Sequence, residues 1–458
     1  MLTHSYLPLE PSAKATAEMS VLATEYGMAQ RWKSSKGERG VTLLMVAVGM
    51  FSFLTMLVIT LDVVNLYISS DQAKRSAEAA ALAGAEAFVT SSTTSNPASV
   101  PLSTICNGTS KDADLRVQKV AAQNNVAGSS PTTVADSCAS TTSNQNPQIQ
   151  VTVTQTGLPS FFARMWGGAP TTVTATALAE AYNPSVDPAN PPSNNPPISI
   201  HGVKPWLIFN CNTCPSGALF ITSSYGIARG AAFIGQPFTF NLTVYNGLSS
   251  TADPPSGTAP FFAIDPPAPL ACPSVANAVS CGQIGTGPPG LYYHDNIACE
   301  GSFNFTNGQT IGPGQPIQVD TLSAGNLHTL TIPGTTCLIH ASTTGLDQGQ
   351  DSFTSGSLPV TITGGSNNPN PSLRSVVGIH RSDSVVAVPV FNCPSAGPCD
   401  NTVQLPIVGF LQIGIQDVNP TGDIDAVILN AAALDPASTE TTIVGAGTSP
   451  VAVRLIHP

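Results

Sequence analysis

The chain has 458 residues, of which 9% are charged, with 39 glycines, 40 prolines and a net charge of −11. That length points to two or three domains rather than one, and the acidic balance excludes a nucleic-acid partner, which needs a basic face to displace phosphate counterions. Apolar segments separated by Gly, Pro, Ser, Thr and Asn have the look of an exported, β-rich chain with many turns.

Arg31, Lys33, Lys36 and Arg39 precede an uncharged run from Val41 to Leu61. At about 1.5 Å per residue this run covers roughly the 30 Å of a bilayer's hydrocarbon core. Residues 41–68 are therefore read as a transmembrane helix in contact with lipid, and Asp62 as anchoring or capping it near the far interface. The positive-inside rule places residues 1–40 in the cytoplasm as a basic tail and the bulk of the chain outside. A cleaved secretory signal would carry a shorter apolar region of about 7–15 residues. Gly40 stands where a prepilin peptidase would cut, but the position five residues on, where such signals carry glutamate, is Met45. An uncleaved anchor is expected.

Asp71 to Phe88, DQAKRSAEAAALAGAEAF, is rich in strong helix formers and extends the helix to about Phe88. Ala73, Ala77, Ala80, Ala81 and Gly84 recur at helical spacing and form a smooth stripe, which packs either on a partner or on the chain's own sheet. A loop over 90–110, a short helix over Asp112–Asn124 and strands at Gln148–Thr154 and Thr171–Ala181 follow, with the apolar knot Gly157–Gly168 between the strands. Together 69–182 read as a module of one long helix with a few strands. Asn183–Pro197 is a Pro/Asn-rich linker. From Ile198 to Pro458 the chain reads as a β domain, with strands in PFTFNLTVYN from Pro237, QPIQVDTL from Gln315, SVVAVPVF from Ser384 and FLQIGIQ from Phe410. No fixed repeat marks it as a solenoid or propeller.

All ten cysteines lie beyond the apolar run, an even count that reads as staples in an oxidising compartment. Pairing neighbours in sequence gives Cys106 with Cys138, Cys211 with Cys214, Cys272 with Cys281, Cys299 with Cys337, and Cys393 with Cys399. This is the simplest of many connectivities. Cys211-Asn212-Thr213-Cys214 sits between strand and turn, which favours a structural disulfide over an exchanging pair or a zinc site. Asp417 to Asp425 places oxygen ligands at alternate positions around a Gly, as calcium loops do, but Ile428 stands where a closing glutamate belongs, and a plain hairpin explains the same residues.

Hydrolase, zincin and phosphate-loop motifs are absent from the sequence. His201, His294, His328, His340 and His380 are scattered, and His380-Arg381-Ser382-Asp383 reads as a solvent-facing turn. No enzyme, cofactor or metal site is expected.

Gly40, Asp62, Gln72 and Ala80–Ala85 (AALAGA), in that order, resemble the N-terminal region of TadG-like proteins of the tight-adherence (Tad/Flp) pilus-assembly system. VTVTQTGLPSFFARMWGG and VTATALAEA resemble that family's continuation, so the likeness spans roughly residues 38–182. Glu78 stands where the family tends to have aspartate. Asp351 to Ser355 is the nearest string to the metal motif of the von Willebrand A-type domain some members carry, and it lacks the middle Ser.

The resemblance implies a membrane-anchored α+β chain in which a single transmembrane helix continues into a pilin-like long helix with a small sheet, followed by a β-rich, sandwich-like domain. It further implies a non-enzymatic component of Tad/Flp pilus assembly in the bacterial inner membrane, its bulk periplasmic or extracellular. Gly40, Asp62, Gln72, Ala77, Glu78, Ala81 and Gly84 would face other assembly proteins or the anchor, and peptidoglycan or a surface ligand would meet the β domain. The alternative is a membrane-tethered adhesive module with a sandwich-type recognition domain.

Overall fold

The computed structural model describes residues 38–108, 110–139, 146–158, 170–182, 198–200, 203–213, 217–228, 232–242, 257–265, 291–299, 303–305, 309–320, 324–393, 403–433 and 451–456. The basic tail up to residue 37, the Phe-Phe-Ala-Arg segment and the linker 183–197 lie outside them. Helix α1 (Glu38–Thr90) is continuous. The chain divides into two units after Val63.

In the first unit most apolar side chains of α1 are exposed among the described residues, with Leu43 and Phe53 at 75% and 78%. The hydroxyls of Ser52, Thr55 and Thr60 donate to the carbonyls of Val48, Ser52 and Met56 at 2.9, 2.7 and 2.8 Å, so these polar atoms do not interrupt the apolar surface. With a mean hydropathy of 2.4 over an 18-residue window, the helix is long and apolar enough to cross a membrane.

In the second unit the same helix changes character. Ala73, Ala77, Ala80, Ala81, Ala85 and Phe88 are fully buried and form one core with Val117 and Ala121 of α2 (Asp112–Gln123). Its floor is a four-stranded antiparallel sheet of β1 (Thr133–Ala139), β2 (Gln148–Leu158), β3 (Thr171–Tyr182) and β10 (Ala452–Ile456), in that order. Ile149, Val151 and Val153 of β2 and Ala177, Ala179 and Ala181 of β3 point inward, as period-two alternation dictates. On the outer face Thr152 and Thr154 meet Thr176 and Thr174 at 3.1 and 3.2 Å in a cross-strand hydroxyl ladder. The last strand of the chain thus completes the sheet of the N-terminal module.

Six further strands close a barrel: β4 (Trp206–Phe209), β5 (Pro237–Leu242), β6 (Thr258–Asp265), β7 (Val385–Phe391), β8 (Leu405–Val418) and β9 (Ile424–Ala433). The order is β4-β6-β5-β9-β8-β7 and back to β4, with β4–β7 and β5–β6 parallel and the other pairs antiparallel. The expected sandwich is corrected to a barrel. Alternation in a sequence shows which side chains share a face, whereas closure depends on β8 and β9 bending at their register shifts to reach partners on both sides. Trp206, Phe240, Phe261, Val388, Ile413 and Ile428, one from each strand, share the largest core.

The C-terminal part also contains two helices that strand-and-turn reading did not foresee, α3 (Leu291–Ala298) and α4 (Ala324–Leu338). Helix α4 is poor in helix formers and carries Pro333, so packing on the barrel core through Leu327 and Leu338 overrides its local preference. The QPIQVDTL strand shrinks to Gln318–Val319. Lys204, 2% exposed, donates to the Cys299 carbonyl at 2.9 Å just beyond α3, where a cation complements the helix dipole.

Candidate functional site

Gly40 is exposed in the first unit, and Asp62 lies two residues ahead of the unit that begins at Val64. Gln72 accepts a hydrogen bond from the Ala127 amide at 2.8 Å, tying α1 to the turn after α2. Glu78 pairs with Lys74 at 3.9 Å and Asp71 with Arg75 at 2.8 Å on the solvent side. Such exposed i,i+4 pairs contribute about 0.2–0.5 kcal/mol each. Ala77 and Ala81 are fully buried, and a Cβ on Gly84 would stand 2.7 Å from Ile149 Cδ1 and 2.8 Å from Val117 Cγ2. The stripe is occupied by the chain's own sheet and α2.

Next to this core the disulfide Cys106–Cys138 joins the α1–α2 connection to β1. Cys299, Cys337 and Cys393 are also disulfide-bonded. The side chain of Cys211 and all of Cys214, Cys272, Cys281 and Cys399 lie outside the described residues. Asn107, beside the bond, accepts from the Cys138 amide at 3.0 Å. The amides of Asn107 and Gly108 both donate to Asp114, which is 4% exposed. Asp136 on β1 faces Asp114, and burial together with the Asp114 hydrogen bond and charge pushes its carboxyl up to about 7.

This shift predicts a pH dependence. Between 3.8 and about 7 the folded chain holds a proton on Asp136 that the unfolded chain has lost, so this group lowers stability progressively as pH rises through that window. Asp136→Asn should therefore raise the melting temperature relative to wild type at pH 8 and leave it unchanged at pH 3.5. A difference that is flat across that range would remove the carboxylate pair as its cause.

The N-terminal module meets the barrel-bearing part at a cleft of about 630 Å³ lined by, among others, Glu86, Asp112, Arg116, Ile362, His380 and Leu429. Arg116 is 7% exposed and is held locally: it contacts both Asp112 oxygens at 3.0 and 3.3 Å and Thr90 Oγ1 at 2.7 Å. His380 Nδ1 lies 3.3 Å from Asp112 Oδ1. Burial, and then the charge of Arg116, holds this imidazole below its usual range. It is neutral at pH 7, and its contribution to stability is lost as pH falls below 6.5. In the segment read as a solvent-facing turn, Arg381 and Asp383 are exposed, but His380 turns inward to Asp112. Asp383 bonds His340 at 2.9 Å, and this bond holds its carboxyl below the ordinary range.

Two further contacts join α1 to β9. The amide of Asn430 donates to the Val89 carbonyl at 2.6 Å, satisfying one of the last orphan carbonyls of α1, and Ser92 Oγ donates to the Leu429 carbonyl. Sequence reasoning missed this junction, since a cap supplied from another element leaves no local signal.

The Asp417–Asp425 segment is a hairpin turn. Its carboxylates diverge to separate donors: Asp417 to the Gly345 amide at 2.7 Å, Asp423 to the Leu242 amide at 3.0 Å and Asp425 to Thr239 Oγ1 at 2.5 Å.

The described residues define an α+β module on a helix of membrane-crossing length and hydropathy, joined to a closed β-barrel. Residues 68–179 match the family described as "Putative Tad-like Flp pilus-assembly". The match takes in the end of α1, α2, β1, β2 and most of β3, and ends before the barrel. No curated protein and no solved structure matches the chain.

Proposed function

We propose that this protein is a non-enzymatic, single-pass, TadG-like component of Tad/Flp pilus assembly, held in the bacterial inner membrane by residues 41–68 with its N-terminus in the cytoplasm. The family match over 68–179 carries the reading. The uncovered apolar surface of α1 supports the anchor, because such a surface is costly in water and neutral in lipid. The small-residue stripe is consumed internally, so assembly partners meet the charged side of α1, the junction cleft or the barrel.

The test is an in-frame deletion scored for pili by electron microscopy and a sheared fraction. Loss of pili is expected. It should be restored by the full-length chain and not by a copy in which 198–450 is replaced by a flexible linker that retains β10. Restoration by that shortened copy would move the function to the anchored module. Intact pili in the deletion strain would overturn the assembly reading in favour of a tethered binding module.

A further inference from the structure

The edge of β3 is a strand-accepting slot, and its occupant comes from the far end of the chain. Ala452 to Ile456 pair antiparallel with Tyr182 to Leu178. The pairing is short, and β10 contributes little to the core: its side chains are half-buried or exposed, with Leu455 38% exposed. Specificity lies in one side chain. Arg454 Nε and a terminal nitrogen contact Glu180 Oε1 at 2.8 and 2.6 Å, and the guanidinium lies 4.2 Å over the Tyr182 ring. Glu180 is only 5% exposed, and among the described residues its other oxygen accepts a 3.3 Å bond from Gln148. Without β10, Glu180 would lose its cation and the β3 edge would present a row of open backbone groups. The slot therefore demands a strand that carries a cation at this one register position.

We propose that the slot also accepts β10 from a second copy of this chain, so that neighbouring copies exchange their C-terminal strands. Residues 434–450 connect β9 to β10, and a connection of that length reaches at most roughly 60 Å, enough to serve a neighbour. Exchange preserves every β10–β3 contact, so rising protein concentration moves the balance from closed monomer towards swapped assembly. Strand exchange is therefore negligible in dilute solution and competitive where copies crowd. This rests on the membrane-anchored reading, which supplies the crowding.

The experiment uses the full-length protein in lipid vesicles at rising protein density. One copy carries Leu178→Cys and a differently tagged copy carries Ile456→Cys, positions paired in the register. Only exchange can link the two tags. The linked product should rise about tenfold from sparse to dense vesicles. A copy carrying both substitutions should cross-link within itself when sparse. Self-linking with no linked tags at any density would overturn the proposal.

A second pair avoids new cysteines. Glu180→Arg and Arg454→Glu each break the ion pair within a chain, yet a swapped mixed dimer satisfies both positions, so mixing should produce a dimer that neither variant forms alone. Absence of that dimer counts equally against exchange. Failure of the protein to enter vesicles would sink the anchor instead, and the same pairs at rising concentration in detergent would then judge exchange.

Discussion

Replacing Gly84 with leucine should cost the second unit at least about 3 kcal/mol, seen as a lower urea midpoint for the full-length protein with an unchanged slope. A Cβ at this position already falls inside contact distance of Ile149 and Val117, both fully buried. Leucine adds three more carbons where α1 meets both β2 and α2. Overpacking of this sort costs about 1–3 kcal/mol and sometimes more. Alanine is the informative control: its helix propensity returns about 1 kcal/mol relative to glycine, so Gly84→Ala should be destabilising by no more than about 2 kcal/mol. If the leucine variant were as stable as wild type, α1 would not lie this close to the sheet.

The second large effect concerns Cys106 and Cys138, which are separated by 32 residues. Closing a loop of that size in the unfolded chain is worth roughly 3–4 kcal/mol. The double substitution Cys106→Ala/Cys138→Ala should lower unfolding stability by about that amount. It should also loosen Asn107, whose side chain binds the Cys138 amide and whose own amide feeds Asp114. The pH difference between wild type and Asp136→Asn should then shrink in the disulfide-free background, because Asp114 loses the scaffold that holds it beside Asp136. A stability loss under about 1 kcal/mol would mean that residual structure already closes this loop in the unfolded chain.

Asp136 has a second consequence for the sheet. Among the described residues strand β1 is an edge of this sheet, and above about pH 7, where Asp136 ionises, its inward-facing charge discourages further strand pairing. Among the described residues the two edge strands of this sheet are β1, which carries Asp136, and β10.

How much of this was legible depends on how local each signal is. The sequence of α1 carries both of its environments: an uncharged run, then small residues at helical spacing. The observed helix accordingly runs to Thr90 where about Phe88 was expected. Helix α2 and strands β2, β3 and β7 also fall close to their expected bounds, because period and propensity are properties of neighbouring residues. Helices α3 and α4 escaped because their sequences are weak helix formers. In α4, Gly334 sits where a Cβ would come within 3.1 Å of Ile297, a requirement of packing against α3 that no local pattern reveals.

By itself, then, the sequence determined a basic tail, a span-length apolar helix, the alanine face and the alternation of the strands, since each follows from the spacing of adjacent side chains. Only the tertiary structure decided that the alanine face is filled from within, that six strands close into a barrel, that Asn430 caps α1 at Val89, and that Arg454 meets Glu180 from the other end of the chain. The physical reason is common to all four. Each is a contact between segments far apart in the chain, whose free energy comes from burying and pairing groups that carry no mark of their partner until the fold brings them together.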